Sequence, residues 1–301
     1  MEDLKHKWLG ALGAPSYNKK YGEAVKLSAF STDEFDAEWY SQPNGVGRHQ
    51  RVLMLFPKNL SAPAPAVAIP FYFPEALLAF DHATGEELTY YKGLEMMLHL
   101  VRRGYVVASA DAYHLTYIES DKDRGDFTRW RDAAAALRAD HPNYSGVGKL
   151  VDDTRLMIDL IAADKRVDSD RIGIAGHSLG GKMAFYTGCL DERVKAILAS
   201  DFGIGWHQTN WDDAWYWGSD VEKLRNAGFE HSELLSIAQK PFCLIAGHYD
   251  TDESLEIMLR AEGYAKDDER LKFINHATGH RPPMWTLDEG YDFLDKWVKG
   301  I

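Results

Sequence analysis

Only two cysteines, Cys189 and Cys243, occur in 301 residues, and both sit in apolar stretches where buried thiols are commonest, so a disulfide framework is not expected. A reducing cytoplasm is the expected setting. Long hydrophobic runs are missing as well: none approaches the roughly 20 residues that span a bilayer. The opening Met1-Glu2-Asp3-Leu4-Lys5 has neither the positive start nor the apolar stretch of a signal peptide. Positive charge is in short supply, with 34 Lys and Arg against 46 Asp and Glu and a formal net charge of -12. That field repels phosphate backbones and anionic lipid, and no basic cluster offsets it locally, so nucleic acid and membrane surfaces are not expected partners. Neutral or cationic small molecules are favoured. Internal repeats and low-complexity tracts are absent too.

What remains is an ordinary globular composition, 45% hydrophobic and 27% charged, on a chain long enough for one α/β domain with decorations. Residues 1–50 mix charged, aromatic and Gly/Pro residues without a sustained period and read as an N-terminal arm packed on the domain. From Arg51 the pattern changes. Val52-Leu53-Met54-Leu55-Phe56 and Ala66-Val67-Ala68-Ile69 are apolar runs closed by prolines, read as buried strands. Leu94, Met97, Leu98 and Val101 form a helical stripe before the strand Tyr105 to Ala110, which makes a strand-helix-strand unit. A helix around Leu150, Met157, Leu160 and Ile161 leads into the strand Ile172 to Ala175. Three more strands follow at Val194 to Ala199, Phe242 to Ala246 and Leu271 to Asn275. The last helix is expected to begin at a Thr286-x-x-Glu289 capping box and to turn Leu287, Tyr291, Leu294 and Val298 inward.

This alternation predicts an α/β fold with a mainly parallel central sheet, helices on both faces, and a ligand site at the carboxyl ends of the strands. The domain spans residues 51–301, with insertions at about 111–148 and 201–235 that are placed to shape a pocket.

Gly176-His177-Ser178-Leu179-Gly180-Gly181 fits G-x-S-x-G, with a strand running in and a helix running out. A nucleophile on such a sharp turn brings backbone close on both sides, where side chains at 176 and 180 would collide. The helix beginning after Ser178 aims free N–H groups at the point where an acyl-transfer intermediate gathers negative charge. A serine hydroxyl needs a base, and on this kind of elbow an acid and then a histidine follow in chain order. After the strand ending at Ala246 comes Gly247-His248-Tyr249-Asp250-Thr251-Asp252, and after the strand ending at Asn275 comes His276-Ala277-Thr278-Gly279-His280.

From about residue 51 onward the chain resembles the α/β-hydrolase superfamily, and most closely its acetyl-xylan-esterase-like and dienelactone-hydrolase-like branch. The likeness rests on the elbow, the Gly247-x-x-Asp250 loop and the Gly279-His280 loop. It implies a triad of Ser178, Asp250 and His280. Dienelactone hydrolases use a cysteine nucleophile, so the serine at 178 tilts the expectation toward ordinary esters. Asp252 and Asp201 stay open as alternative acids. His280 is preferred over His276 because it follows Gly279 in a turn-prone stretch, whereas His276 continues a strand. An H-x-x-x-H metal pair lacks a helix to present both rings on one face, and no metal or organic cofactor is implied.

The oxyanion hole needs two backbone donors, the N–H of Leu179 and one from Pro70-Phe71-Tyr72-Phe73-Pro74, where the prolines have none to give. Phe73 is the first choice and Tyr72 the next. Residues 206–217 hold four of the nine tryptophans among amide and carboxylate groups, a pattern that suits sugar rings or, equally, a lid packed on the core. Tyr72, Trp206 and Trp211 are the expected substrate contacts. The expected function is a serine carboxylesterase acting on short acyl esters, acetyl esters of carbohydrates among them. The rivals are a peptidase or amide hydrolase on the same fold and a non-catalytic carbohydrate-binding relative.

Overall fold

The computed structural model describes residues 2–13, 21–45, 48–58, 60–247, 252–265 and 267–301. Among them the chain runs α1 (Glu2–Leu12), β1 (Val25–Ser31), β2 (Phe35–Pro43), β3 (His49–Pro57) and β4 (Ala64–Ala68), then a short hairpin of β5 (Phe80–Asp81) and β6 (Glu86–Glu87). It continues with α2 (Met96–Arg102), β7 (Val106–Ala110), α3 (Tyr113–Thr116), α4 (Phe127–Asp140), α5 (Gly146–Ala163), β8 (Val167–His177), α6 (Leu179–Leu190) and β9 (Val194–Ser200). The last elements are α7 (Asp220–Asn226), α8 (His231–Ala238), β10 (Phe242–Ala246), α9 (Asp252–Leu259), β11 (Leu271–Asn275) and α10 (Met284–Leu294).

Nine described strands form one sheet in the order β1-β2-β3-β7-β4-β8-β9-β10-β11. The β1-β2, β2-β3 and β3-β7 pairings are antiparallel, and every pairing from β7-β4 to β10-β11 is parallel. Successive residues of a strand point to opposite faces, and both faces here are buried. In β9, Val194, Ile197 and Ala199 join one core with Phe185 of α6 and Met157 of α5. Ala196 and Leu198 join the other, with Met97 of α2 and Leu287 and Leu294 of α10. The parallel strands therefore end together at one edge, with Ser178, Asp201, Gly247 and His276 each just past a strand's carboxyl end.

Two expectations change. The N-terminal stretch has no sustained period, yet β1 and β2 add two antiparallel strands to the sheet; β1 sits at the edge with six of its seven residues exposed, so no apolar alternation marks it. Helix α1 buries Trp8 and Leu12, and the Trp8 indole N–H donates to Glu233 Oε2 at 3.0 Å. The last helix begins at Met284, not at a Thr286 capping box, because Pro283 supplies the extended residue before it. Thr286 lies in the first turn, and its hydroxyl donates to Pro283 O at 2.7 Å. Leu287, Tyr291, Leu294 and Val298 do face inward.

Candidate active site

At the end of β8 the chain turns sharply. Ser178 has φ 56° and ψ −117°, a left-handed backbone that non-glycine residues rarely adopt. Its N–H is tied to Ser200 O of β9 at 2.8 Å. The glycines are there because backbone presses on both sides: a Cβ at Gly176 would lie 2.1 Å from Gly180 O, and one at Gly180 would lie 2.2 Å from Pro70 O. Leu179 opens α6, so its N–H has no acceptor within the helix.

The loop after β11 brings His280 Nε2 to 2.8 Å from Ser178 Oγ. That distance lets the hydroxyl donate to a neutral imidazole. His177 sits beside them, its ring centroid 4.9 Å from that of His280. Burial, and then the neighbouring His280, Arg281 and His276, hold the His177 imidazole well below its ordinary range, so it is neutral.

The other histidine of the loop goes elsewhere. His276 Nε2 lies 3.0 Å from Asp201 Oδ1, and Asp201 is buried at the end of β9. The structure thus pairs Asp201 with His276, and leaves Asp252 exposed in the first turn of α9. Asp250 lies outside the described residues.

Ser178 and His280 face a cavity of about 770 Å³. Tyr72, Phe127, Trp215 and Tyr216 line it together with the polar Lys182, Gln208, Thr209 and Asn210. Lys182, one helical turn past Ser178, donates to Thr209 Oγ1 and Asn210 Oδ1, both at 2.7 Å, and lies over the rings of Trp211 and Tyr216. Sequence reasoning missed Lys182, although its i+4 spacing from Ser178 puts both on one helix face. It also missed Phe127 and Arg281, and within residues 206–217, the segment marked as suited to sugar rings, it chose Trp206 and Trp211, whereas Trp215 and Tyr216 line the cavity.

Trp206 and Trp211, expected as substrate contacts, are corrected: they pack in the core. Trp206 stacks near Trp8 and donates from Nε1 to Phe229 O at 2.7 Å, while Trp211 is fully buried and donates to Gly203 O at 2.8 Å. An indole deep in the core needs such a partner for its N–H, and both find backbone carbonyls there. Phe73, the first choice for the second backbone donor, is buried at the start of a short 3₁₀ turn with its ring under Arg124 at 4.3 Å; Phe71 and Tyr72, not Phe73, line the cavity.

Two family models match the chain, the Dienelactone hydrolase family over residues 75–210 and the Prolyl oligopeptidase family over residues 145–280. The chain is 27% identical over 171 residues to YtaP of Bacillus subtilis (strain 168), a protein named as a hydrolase. That match takes in 50% of this chain and 54% of YtaP, about half of each. Among solved structures, a Bacteroides fragilis NCTC 9343 protein assigned as an acetyl xylan esterase superposes with a TM-score of 0.70 at 17% identity, covering 91% of this chain and 74% of its own. A glucuronoyl esterase from Solibacter usitatus superposes with a TM-score of 0.69 at 12% identity, covering 98% of this chain and 91% of its own. At such identities these structures share the fold. With this sheet and this elbow the chain has the α/β-hydrolase fold, and it is similar to the Dienelactone hydrolase family and to acetyl xylan esterases of that fold.

Proposed function

We propose that the chain is a serine carboxylesterase that cleaves short acyl esters, acetyl groups on sugars foremost, through an acyl-enzyme. The 2.8 Å contact between Ser178 Oγ and His280 Nε2, on the wall of the large cavity, carries this reading. In the first step Oγ bonds to the ester carbonyl carbon and its proton passes to Nε2. The tetrahedral intermediate collapses, and the leaving alkoxide takes the proton from Nε2 as the alcohol departs. Water then attacks the acyl group and gives its proton to Nε2. Oγ leaves, recovers a proton, and the acid is released. Asp250, three residues beyond Gly247, is the acid we assign to His280.

The oxyanion donors we assign are the N–H groups of Leu179 and Tyr72, each worth about 10²- to 10³-fold in kcat in comparable sites. Tyr72 takes the place of Phe73 because Tyr72 lines the cavity and Gly180 packs directly on Pro70 O. The sugar preference is supported by aromatic faces in the lining, with Phe127 stacked on Trp215 at 5.5 Å, and by the amide and hydroxyl groups that share it. The two cysteines are free and buried, which fits a reducing compartment, and we place the protein in the cytoplasm on that ground. Among the described residues, no helix is long and apolar enough to cross a membrane.

Amide hydrolysis is the second reading, favoured by the match to the Prolyl oligopeptidase family. Rates on nitrophenyl acetate and on the nitroanilide of the same acid separate the two. A fluorophosphonate probe should label the protein and fail to label Ser178→Ala; absence of labelling in the unaltered protein rejects both readings.

A further inference from the structure

Next to the Ser178–His280 pair lies a second acid–imidazole couple. Asp201 begins the loop after β9 with a left-handed backbone, φ 49°, and its N–H is held by Ile245 O at 2.9 Å. Its carboxylate uses both oxygens. Oδ1 lies 3.0 Å from His276 Nε2, and Oδ2 accepts from Ser200 Oγ at 2.5 Å. Ser200 Oγ lies in turn 3.1 Å from His177 Nδ1, at the point where β8 and β9 pair His177 with Ser200. At the other end, Thr278 Oγ1 lies 2.6 Å from His276 Nδ1.

Donor counting gives this chain a direction. Ser200 spends its one hydrogen on the carboxylate, so it can only accept from His177, whose proton is then on Nδ1. The carboxylate takes the Nε2–H of His276, which leaves Nδ1 of that ring as an acceptor for the Thr278 hydroxyl. His177 is thereby fixed as a neutral ring in one tautomer, directly before Ser178 in sequence and packed against the ring of His280. A positive charge on it would repel the imidazolium that His280 must become. His276 and Thr278 meanwhile tie down the loop that delivers His280.

We infer that Asp201 and His276 are positioning residues: the buried couple fixes His177 beneath His280 and anchors residues 276–280 for the proton transfer, an inference that rests on the Ser178–His280 reading above. Asp201→Asn removes the charge at nearly constant volume. It should lower kcat on nitrophenyl acetate by about 10- to 100-fold while KM stays within about threefold, the scale found when partners that orient a catalytic group are lost. The acid limb of kcat/KM should move to lower pH, because one of two negative charges that favour imidazolium is gone; the Asp250 carboxylate assigned to His280 stays, and the other charged or titratable neighbours are His177, His276 and Arg281. His276→Gln keeps an N–H donor for Asp201 and should retain most of the rate, whereas His276→Phe should behave like Asp201→Asn.

Imidazole ¹⁵N NMR of the unaltered protein reads the couple without turnover, so it reports even if the protein hydrolyses no ester: His177 should carry its proton on Nδ1 and His276 on Nε2. Protonation of His177 on Nε2 overturns the inference, as does an Asp201→Asn variant with unchanged kcat and an unmoved acid limb. Loss of fluorophosphonate labelling in Asp201→Asn as complete as in Ser178→Ala overturns it too, by making Asp201 the triad acid. Should Asp201→Asn fail to fold, equal rates for His276→Gln and His276→Phe refute the inference, and the NMR tautomers still decide it.

Discussion

Replacing Gly180 by Ala tests whether the elbow and the oxyanion segment are as tightly joined as they look. The added methyl would lie 2.2 Å from Pro70 O, about 1.2 Å short of the 3.4 Å at which ordinary contact begins, and 3.2 Å from Phe71 Cδ2. Neither obstacle is a flexible side-chain end: one is a carbonyl just past β4, and the other is a ring buried against the sheet. Something on the order of 1 Å must therefore move in the segment that holds the Tyr72 N–H, and misplacement on that scale costs about 10²-fold. The expected result is a fall in kcat of about 10²- to 10³-fold, or about 2.7–4 kcal/mol of transition-state stabilisation. Overpacking should cost about 1–3 kcal/mol of stability besides. Gly279, beside His280, is the control, since a Cβ there meets nothing within 4 Å and its φ is not left-handed. Gly279→Ala should keep kcat/KM within about threefold, because an alanine fits that backbone without strain. Steady-state kinetics on nitrophenyl acetate at 25 °C, with a melting curve for each variant, separates misplacement from unfolding. A Gly180→Ala protein with unaltered kcat and melting temperature refutes the close packing of Pro70 on the elbow and the oxyanion role built on it.

Three further outcomes are expected. Ser178→Ala and His280→Ala should each lower kcat by several orders of magnitude, with the double variant little worse than either; additive losses would show that the two groups do not act as a unit. Phe127→Ala, at the exposed rim of the cavity, should raise KM for acetylated sugars several-fold with little loss of stability, whereas Trp206→Ala should leave KM alone and cost about 3–5 kcal/mol of folding stability. The reverse pattern would return Trp206 to the substrate site. His231 is buried between Tyr186, whose hydroxyl lies 2.7 Å from Nε2, and the carbonyl of Ile204, and burial pushes its imidazole from 6.5 down to about 3. It is neutral in the fold but protonated in the unfolded chain at acid pH. Stability present above pH 6.5 is therefore lost as pH falls toward 3, by about 1.4 kcal/mol per pH unit for this one group. His231→Gln should remove about one proton from that dependence in urea unfolding between pH 7 and 4; an unchanged slope would refute the assignment.

What could be read from residue order was whatever is decided locally. The parallel strands announce themselves because both their faces are buried, as in β9, whose seven residues are apolar but for Lys195 and Ser200. The elbow announces itself because its glycines answer to contacts within five residues and to one loop beyond. By contrast β1 hides because an exposed edge strand has no apolar pattern to show. Residues 206–217 were correctly marked as aromatic, yet their order does not say which rings face the cavity; the helix α1 decides that, since Trp8 draws Trp206 inward. The two histidines of the last loop show the division most sharply. Their letters are the same and they stand four residues apart, but His276 is still bound to the sheet through its N–H to Ala246 O at 2.9 Å. Its ring is thereby held at the level of the strand ends, where β9, on the far side of β10, has just delivered Asp201. His280 lies beyond the last sheet contact, free of that level, and the intervening turn through Ala277, with φ 52°, carries it back over the elbow to Ser178. A preference for the histidine past the turn follows from chain direction alone. The partner of the other follows only from the stagger of two strands whose functional residues are 75 positions apart.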